Sequence, residues 1–159
     1  MRKMSIGTLI ISLFIPMLIG GISASLSAQG MAMYGSMNKP PLSPPAWVFS
    51  VAWTILYLMM GLASYFIIVS EADGRSKAMA LIFYGVQLLM NFMWSIVFFN
   101  LGAYLLAFIW LIIMWGMVIV CAFRFYSINR IATFLFIPYI LWLTFAAYLN
   151  FGAYILSVG

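Results

Sequence analysis

Five apolar stretches, none interrupted by Asp, Glu, Lys, Arg or His, run through this chain at about residues 5–27, 47–70, 78–99, 103–123 and 131–158. About 20 such residues in helical form cover roughly 30 Å, the hydrocarbon thickness of a bilayer. The composition agrees: 67% of residues are hydrophobic and 6% charged, where a soluble domain carries about 25% charged residues. Runs such as Leu81, Ile82, Phe83 lack the alternation of a membrane barrel strand. The expected fold is an all-α integral membrane protein, one domain over residues 1–159, built as a five-helix bundle. No internal repeat or heptad pattern is present.

The cations predict an orientation. Five spans would place Arg2, Lys3, Arg75, Lys77, Arg124 and Arg130 on one side and Lys39 alone on the other. Basic residues accumulate in cytoplasmic loops, so the N-terminus is expected in the cytoplasm of a bacterial cell and the segment 28–46 outside. The charges are scattered, which suits anionic membrane lipid and gives no nucleic-acid footprint. Arg2 and Lys3 before an apolar run also resemble a secretory signal, although the run exceeds the 7–15 residues usual for one.

Several chemistries lack their residues. There is no His, Cys121 lies inside the fourth stretch, and the acids Glu71 and Asp73 sit together in a polar loop. No clustered metal ligands and no Ser-His-Asp or Cys-His system can be assembled. No ionisable side chain lies within a span, as ion-coupled pumping would need. Metal ions and obligatory cofactors are not expected.

What remains is aromatic and amide chemistry on helical faces. Trp53, Tyr57, Met60 and Ser64 recur at helical spacing in the second span; Gln87, Asn91, Trp94, Ser95 and Phe98 do so in the third; Trp142, Ala146 and Asn150 in the fifth, after Pro138. Such faces suit a flat apolar ligand, with indoles against its surfaces and an amide at a polar edge. Equally, Gln87 and Asn91 could be interhelical hydrogen-bonding groups, worth about 0.6 kcal/mol on average. Trp110 and Trp115 suggest packing only, and Trp47 an interfacial belt.

The first connection differs in character. Lys39 is followed by four prolines at 40, 41, 44 and 45, which fix φ and remove backbone donors. This segment is expected to be non-helical and semi-rigid, either a pocket cover over residues 28–46 or a stiff linker. Gly20, Gly21, Ala24 and Ser25 form a small-residue pattern suited to close helix contact, and Pro16 and Pro138 are expected to bend their helices.

Taken in order, Tyr34, Lys39, Pro40, Pro44, Pro45, Phe49, Trp53, Leu56 and Tyr57 resemble the loop and second helix of the TspO/MBR family, the translocator or tryptophan-rich sensory proteins, also called peripheral benzodiazepine receptors. Gln87, Asn91, Trp94, Phe98 and Phe99 match a second block; Pro138, Tyr139, Trp142, Phe145, Ala146, Leu149 and Asn150 a third. The resemblance implies a five-helix membrane protein, commonly a homodimer, whose pocket takes porphyrins such as protoporphyrin IX or drug-like molecules. By position it implies ligand contacts at Tyr34, Pro44, Trp53, Asn91, Trp142 and Ala146; Tyr57, Gln87, Trp94 and Phe98 join them as candidate contacts from the helical faces. In bacterial relatives light-dependent porphyrin breakdown is attributed to pocket tryptophans, here Trp53 and Trp142; passive carriage of lipid-like molecules is a further role the family allows. Leu42 stands where many relatives have Trp, and Met33, not Trp, stands beside Tyr34. No cation follows Tyr148 or Tyr154, so the sterol-recognition pattern of animal relatives does not carry over; Val120, Tyr126 and Arg130 meet that loose formula only by chance.

Overall fold

The computed structural model describes residues 5–159. The expectations resting on Arg2 and Lys3, the orientation and the signal-like start, fall partly outside these residues. Among them there is no strand. The helices are α1 (Ile6–Leu26), α2 (Ala28–Ser36), α3 (Ala46–Ile68), α4 (Gly74–Ser95, continued by a π-helical turn, Ile96–Asn100), α5 (Tyr104–Tyr126), α6 (Arg130–Phe134) and α7 (Ile137–Val158). Five of the resulting segments are long and apolar enough to span a membrane: Ile6–Leu26, Ala46–Ile68, Gly74–Asn100, Tyr104–Tyr126 and Arg130–Val158. The protein is an integral membrane five-helix bundle.

Local chemistry sets the starts. Ser5 Oγ accepts the Thr8 N–H (3.3 Å), Asp73 Oδ1 the Ser76 N–H (2.9 Å) and Asn129 Oδ1 the Ala132 N–H (3.1 Å), each satisfying a donor the helix leaves free. The bond at Asp73 holds its carboxyl below the usual carboxylate range. Gly102, at φ +59°, makes the turn that lets α5 fold back beside α4. α1 runs through Pro16 as one helix.

Two expectations change. The connection 28–46 is not all loop, because α2 occupies nine of its residues. Alone, a helix so short and containing Gly30 and Gly35 would be marginal. It is held by packing: Gly30 lies directly against the Phe99 carbonyl, where a Cβ would collide. The last span is also not continuous. α6 stops at Phe134, since Pro138 has no N–H to offer that carbonyl and its ring crowds it; Pro138 then occupies the first turn of α7, where a missing donor does not matter.

Around the bundle α1 packs on α3 and α4, α4 on α5, and α5 on α7, with α6 against α3. The interior is not wholly apolar, since Ser64, Gln87, Asn91 and Asn150 are buried in it. Its apolar core runs through Met60, Leu111, Met114, Val118, Phe125, Phe136 and Leu143. Trp110 Nε1 donates to the Met90 carbonyl (2.9 Å) and Trp115 Nε1 to Thr144 Oγ1 (3.0 Å), so these two indoles tie α5 to α4 and α7. Trp47 is 67% exposed. Cys121 is buried. At the end of the bundle opposite the prolines, Arg124 stacks on Phe83 and Arg130 on Tyr126, each 5.4 Å from the ring centre.

Candidate functional site

At the proline-bearing end the helices part around a cavity of about 370 Å³. α1 contributes Met17, Gly20, Gly21, Ser23 and Ala24. From α3 come Ala46, Phe49, Ser50, Trp53, Thr54 and Tyr57. α4 and its π turn supply Asn91, Trp94, Ser95, Phe98 and Phe99, and α7 Ala146, Leu149 and Asn150. Met31, Tyr34, Gly35, Lys39 and Pro44 close it from the first connection.

Trp53 is the hub of the aromatic wall. Its ring centre lies 5.6 Å from Tyr57, 6.2 Å from Tyr139, 6.3 Å from Trp94 and 6.4 Å from Trp142. Trp94 stacks on Phe98 at 5.4 Å. Phe98 and Phe99, neighbours in the π turn, both meet Tyr34 edge-on, at 5.1 and 5.9 Å. π turns inserted into α-helices often occur at functional sites, and here one brings two consecutive rings to the wall.

Beneath the rings lies a chain of neutral hydrogen bonds. Tyr57 OH donates to Asn91 Oδ1, Asn91 Nδ2 to Tyr139 OH, and Tyr139 OH to Gln87 Oε1, each at 2.9 Å. Trp94 Nε1 donates to Asn150 Oδ1 (3.4 Å). This chain fixes the Asn91 amide and the Tyr57 ring. Gly20 makes room for that ring: a Cβ there would lie 2.6 Å from Tyr57 Cδ2.

The cover is fastened at several points. Ser27 and Ser95 hydroxyls share a buried hydrogen bond (3.0 Å), and Asn100 Nδ2 caps the end of α1 at the Leu26 carbonyl (3.0 Å). Tyr104 OH reaches Met37 Sδ (3.4 Å), and Tyr148 OH the Pro41 carbonyl (2.8 Å). Pro40 fills the space left by Gly152, whose Cβ would lie 2.5 Å from the proline ring. Between them a tight turn joins Pro40 to Ser43 (N···O 3.3 Å) with Leu42 at φ +65°, 83% exposed. Glycine usually holds such a position. Burial and the nearby Tyr104 phenol raise the pKa of Tyr34 above its ordinary value.

Of the ten residues singled out from sequence, Tyr34, Pro44, Trp53, Tyr57, Asn91, Trp94, Phe98 and Ala146 line the cavity. Gln87 and Trp142 do not. Gln87 is fully buried below, bonded to Tyr139 and, through Nε2, to Met60 Sδ at 3.6 Å. Trp142 packs edge-on behind Phe49 and Trp53, at 5.7 and 6.4 Å, its buried Nε1 without a hydrogen-bond partner. The small residues of α1 signal close helix contact, which holds at Gly20 against Tyr57; that they also form a cavity wall, as at Gly21 with no atom within 4 Å of a Cβ, is not legible from them. Phe49, one turn before Trp53, could have been found by the same spacing.

The fold is thus a helical membrane protein with an apolar cavity under a fastened cover at one end of its five spans. Residues 12–156 match the TspO/MBR family. The chain belongs to that family. It is 39% identical over 120 residues to a tryptophan-rich sensory protein of Cereibacter sphaeroides, covering 76% of this chain and 73% of that one. It is 30% identical to the protein CrtK of Rhodobacter capsulatus, over 96% and 94% of the two chains. With the translocator protein of sheep, Ovis aries, the identity is 36%, over 79% and 75%.

Proposed function

We propose that the protein is a membrane-embedded binding or sensory protein for flat, largely apolar tetrapyrroles of the protoporphyrin IX kind. The observation that carries this is the convergence of Trp53, Trp94 and Phe98, from two helices, on one cavity whose deep polar groups are neutral and mutually bonded. Its volume falls within the roughly 300–1,000 Å³ of small-molecule sites. Aromatic faces stack on a macrocycle, and well-placed aromatic pairs add about 0.5–1.5 kcal/mol each beyond burial. Titration of protoporphyrin into the purified protein, followed by the pigment's absorbance, should show saturable binding. A Trp53→Leu, Trp94→Leu double variant should weaken it by about tenfold or more; unchanged affinity would remove the site.

A second reading, passive carriage of a membrane-borne ligand, is favoured by one observation. Gly21 and Ala24 on α1 and Ser50 and Thr54 on α3 line the cavity and are themselves exposed, as a lateral entry from the bilayer would require. A carrier should speed exchange of porphyrin between vesicles, and an Ala24→Trp variant should slow both exchange and binding. Exchange no faster than with protein-free vesicles would leave binding alone.

A further inference from the structure

We infer that Lys39 makes the cavity selective for ligands carrying a carboxylate at one edge, held at the mouth while the apolar body lies inward. This rests on the tetrapyrrole reading above and specifies it. Lys39 is the one charged residue among those lining the cavity.

The charge is placed rather than scattered. Lys39 precedes Pro40, which restricts it to extended backbone, and Pro40 is seated against Gly152 while the next carbonyl, that of Pro41, is bonded to Tyr148. The lysine root is thus pinned to α7 at the rim. Its ammonium, a compact charge on a flexible stem with three donors, can meet an anion without rearrangement of the cover.

The deep half offers no counterpart. Asn91 is already engaged by Tyr57 and Tyr139, and Trp94 by Asn150; what remains there are neutral amide hydrogens among rings. Burying a full negative charge against them is costly. Polarity is therefore graded along the cavity, neutral at depth and cationic at the mouth, and a ligand with one anionic edge has one favourable orientation. A ligand of the same shape without the charge gains only the apolar half.

The experiment compares protoporphyrin with its dimethyl ester, the same macrocycle without the charges, in nanodiscs of neutral phosphatidylcholine so that no anionic lipid competes for Lys39. The wild-type protein should bind the acid about fivefold more tightly than the ester, the scale of a solvent-facing ion pair, and the preference should shrink with added salt. Lys39→Gln should abolish the preference by weakening the acid alone, and Lys39→Arg should keep it. Equal binding of acid and ester by wild type, or a preference that survives Lys39→Gln, overturns the inference while leaving the tetrapyrrole reading standing. Binding of neither compound overturns both. A preference lost only when phosphatidylglycerol is added identifies a lipid phosphate as a competitor for the same charge and supports the anion site.

Discussion

Gly61→Leu will separate α1 from α3 and cost the fold about 3 kcal/mol, at the upper end of what overpacking usually exacts. A Cβ at Gly61 would stand 2.6 Å from the Ser12 carbonyl oxygen and 2.8 Å from Leu13 Cα. Those are backbone atoms, so no rotamer change relieves the contact. The helices must move apart. Because α1 carries Met17, Gly20, Gly21, Ser23 and Ala24 of the cavity wall, ligand affinity should fall with stability. Equilibrium unfolding in mixed micelles, beside a porphyrin titration, measures both. Gly85→Ala is the control: nothing lies within 4 Å of its Cβ, and helix propensity alone should leave it neutral or up to about 1 kcal/mol more stable. A Gly61→Leu variant as stable as wild type would mean that the α1–α3 approach is not as close as described.

Asn91→Leu and Tyr139→Phe should each destabilise the protein by about 1–2 kcal/mol, and the double variant by clearly less than their sum. Each change strands buried partners. Without the Asn91 amide, Tyr57 OH loses its acceptor and Tyr139 OH its donor; without the Tyr139 hydroxyl, Gln87 Oε1 and an Asn91 amide hydrogen are left unpaired. An unsatisfied buried group costs about 1–3 kcal/mol, whereas single interhelical bonds in membranes average about 0.6. The linked arrangement favours the higher figure, since one deletion orphans two groups. Freed of Asn91, the Tyr57 ring also loses its place beside Gly20, so Asn91→Leu should weaken ligand binding more than Tyr139→Phe does. Additivity within about 0.5 kcal/mol in the double-mutant cycle would show that the bonds act independently.

The spans were legible because a bilayer demands long uncharged runs, and the faces of α3 and α4 because residues three and four apart share a side. Trp53 with Tyr57, and Asn91 with Trp94 and Phe98, come together as their spacing implies. Trp142 shows the limit of that rule. It stands one turn from Ala146, which lines the cavity, yet Phe49 and Trp53 lie against it; spacing assigns a face, while neighbours decide which residue of that face reaches open space. α1 was opaque for another reason. In lipid both its exposed side (Ile10, Phe14, Leu18, Ile22) and its packed side are uncharged, so hydropathy carries no contrast between them. The close approach at Gly61 looks in sequence like any of the 12 glycines. α2 was hidden because contact with the π turn, rather than its own propensity, makes it helical.

The exposure of the cavity-lining residues Gly21, Ala24, Ser50 and Thr54 has an implication for how affinities are to be compared. Under the carrier reading, hydrocarbon tails of the surrounding amphiphile compete with the guest for the same space, and they are present in vast excess. Solubiliser identity and its mole ratio to protein thus enter every apparent dissociation constant as rival occupancy, and values from different micelles or bilayers become commensurable only after extrapolation to a common tail concentration.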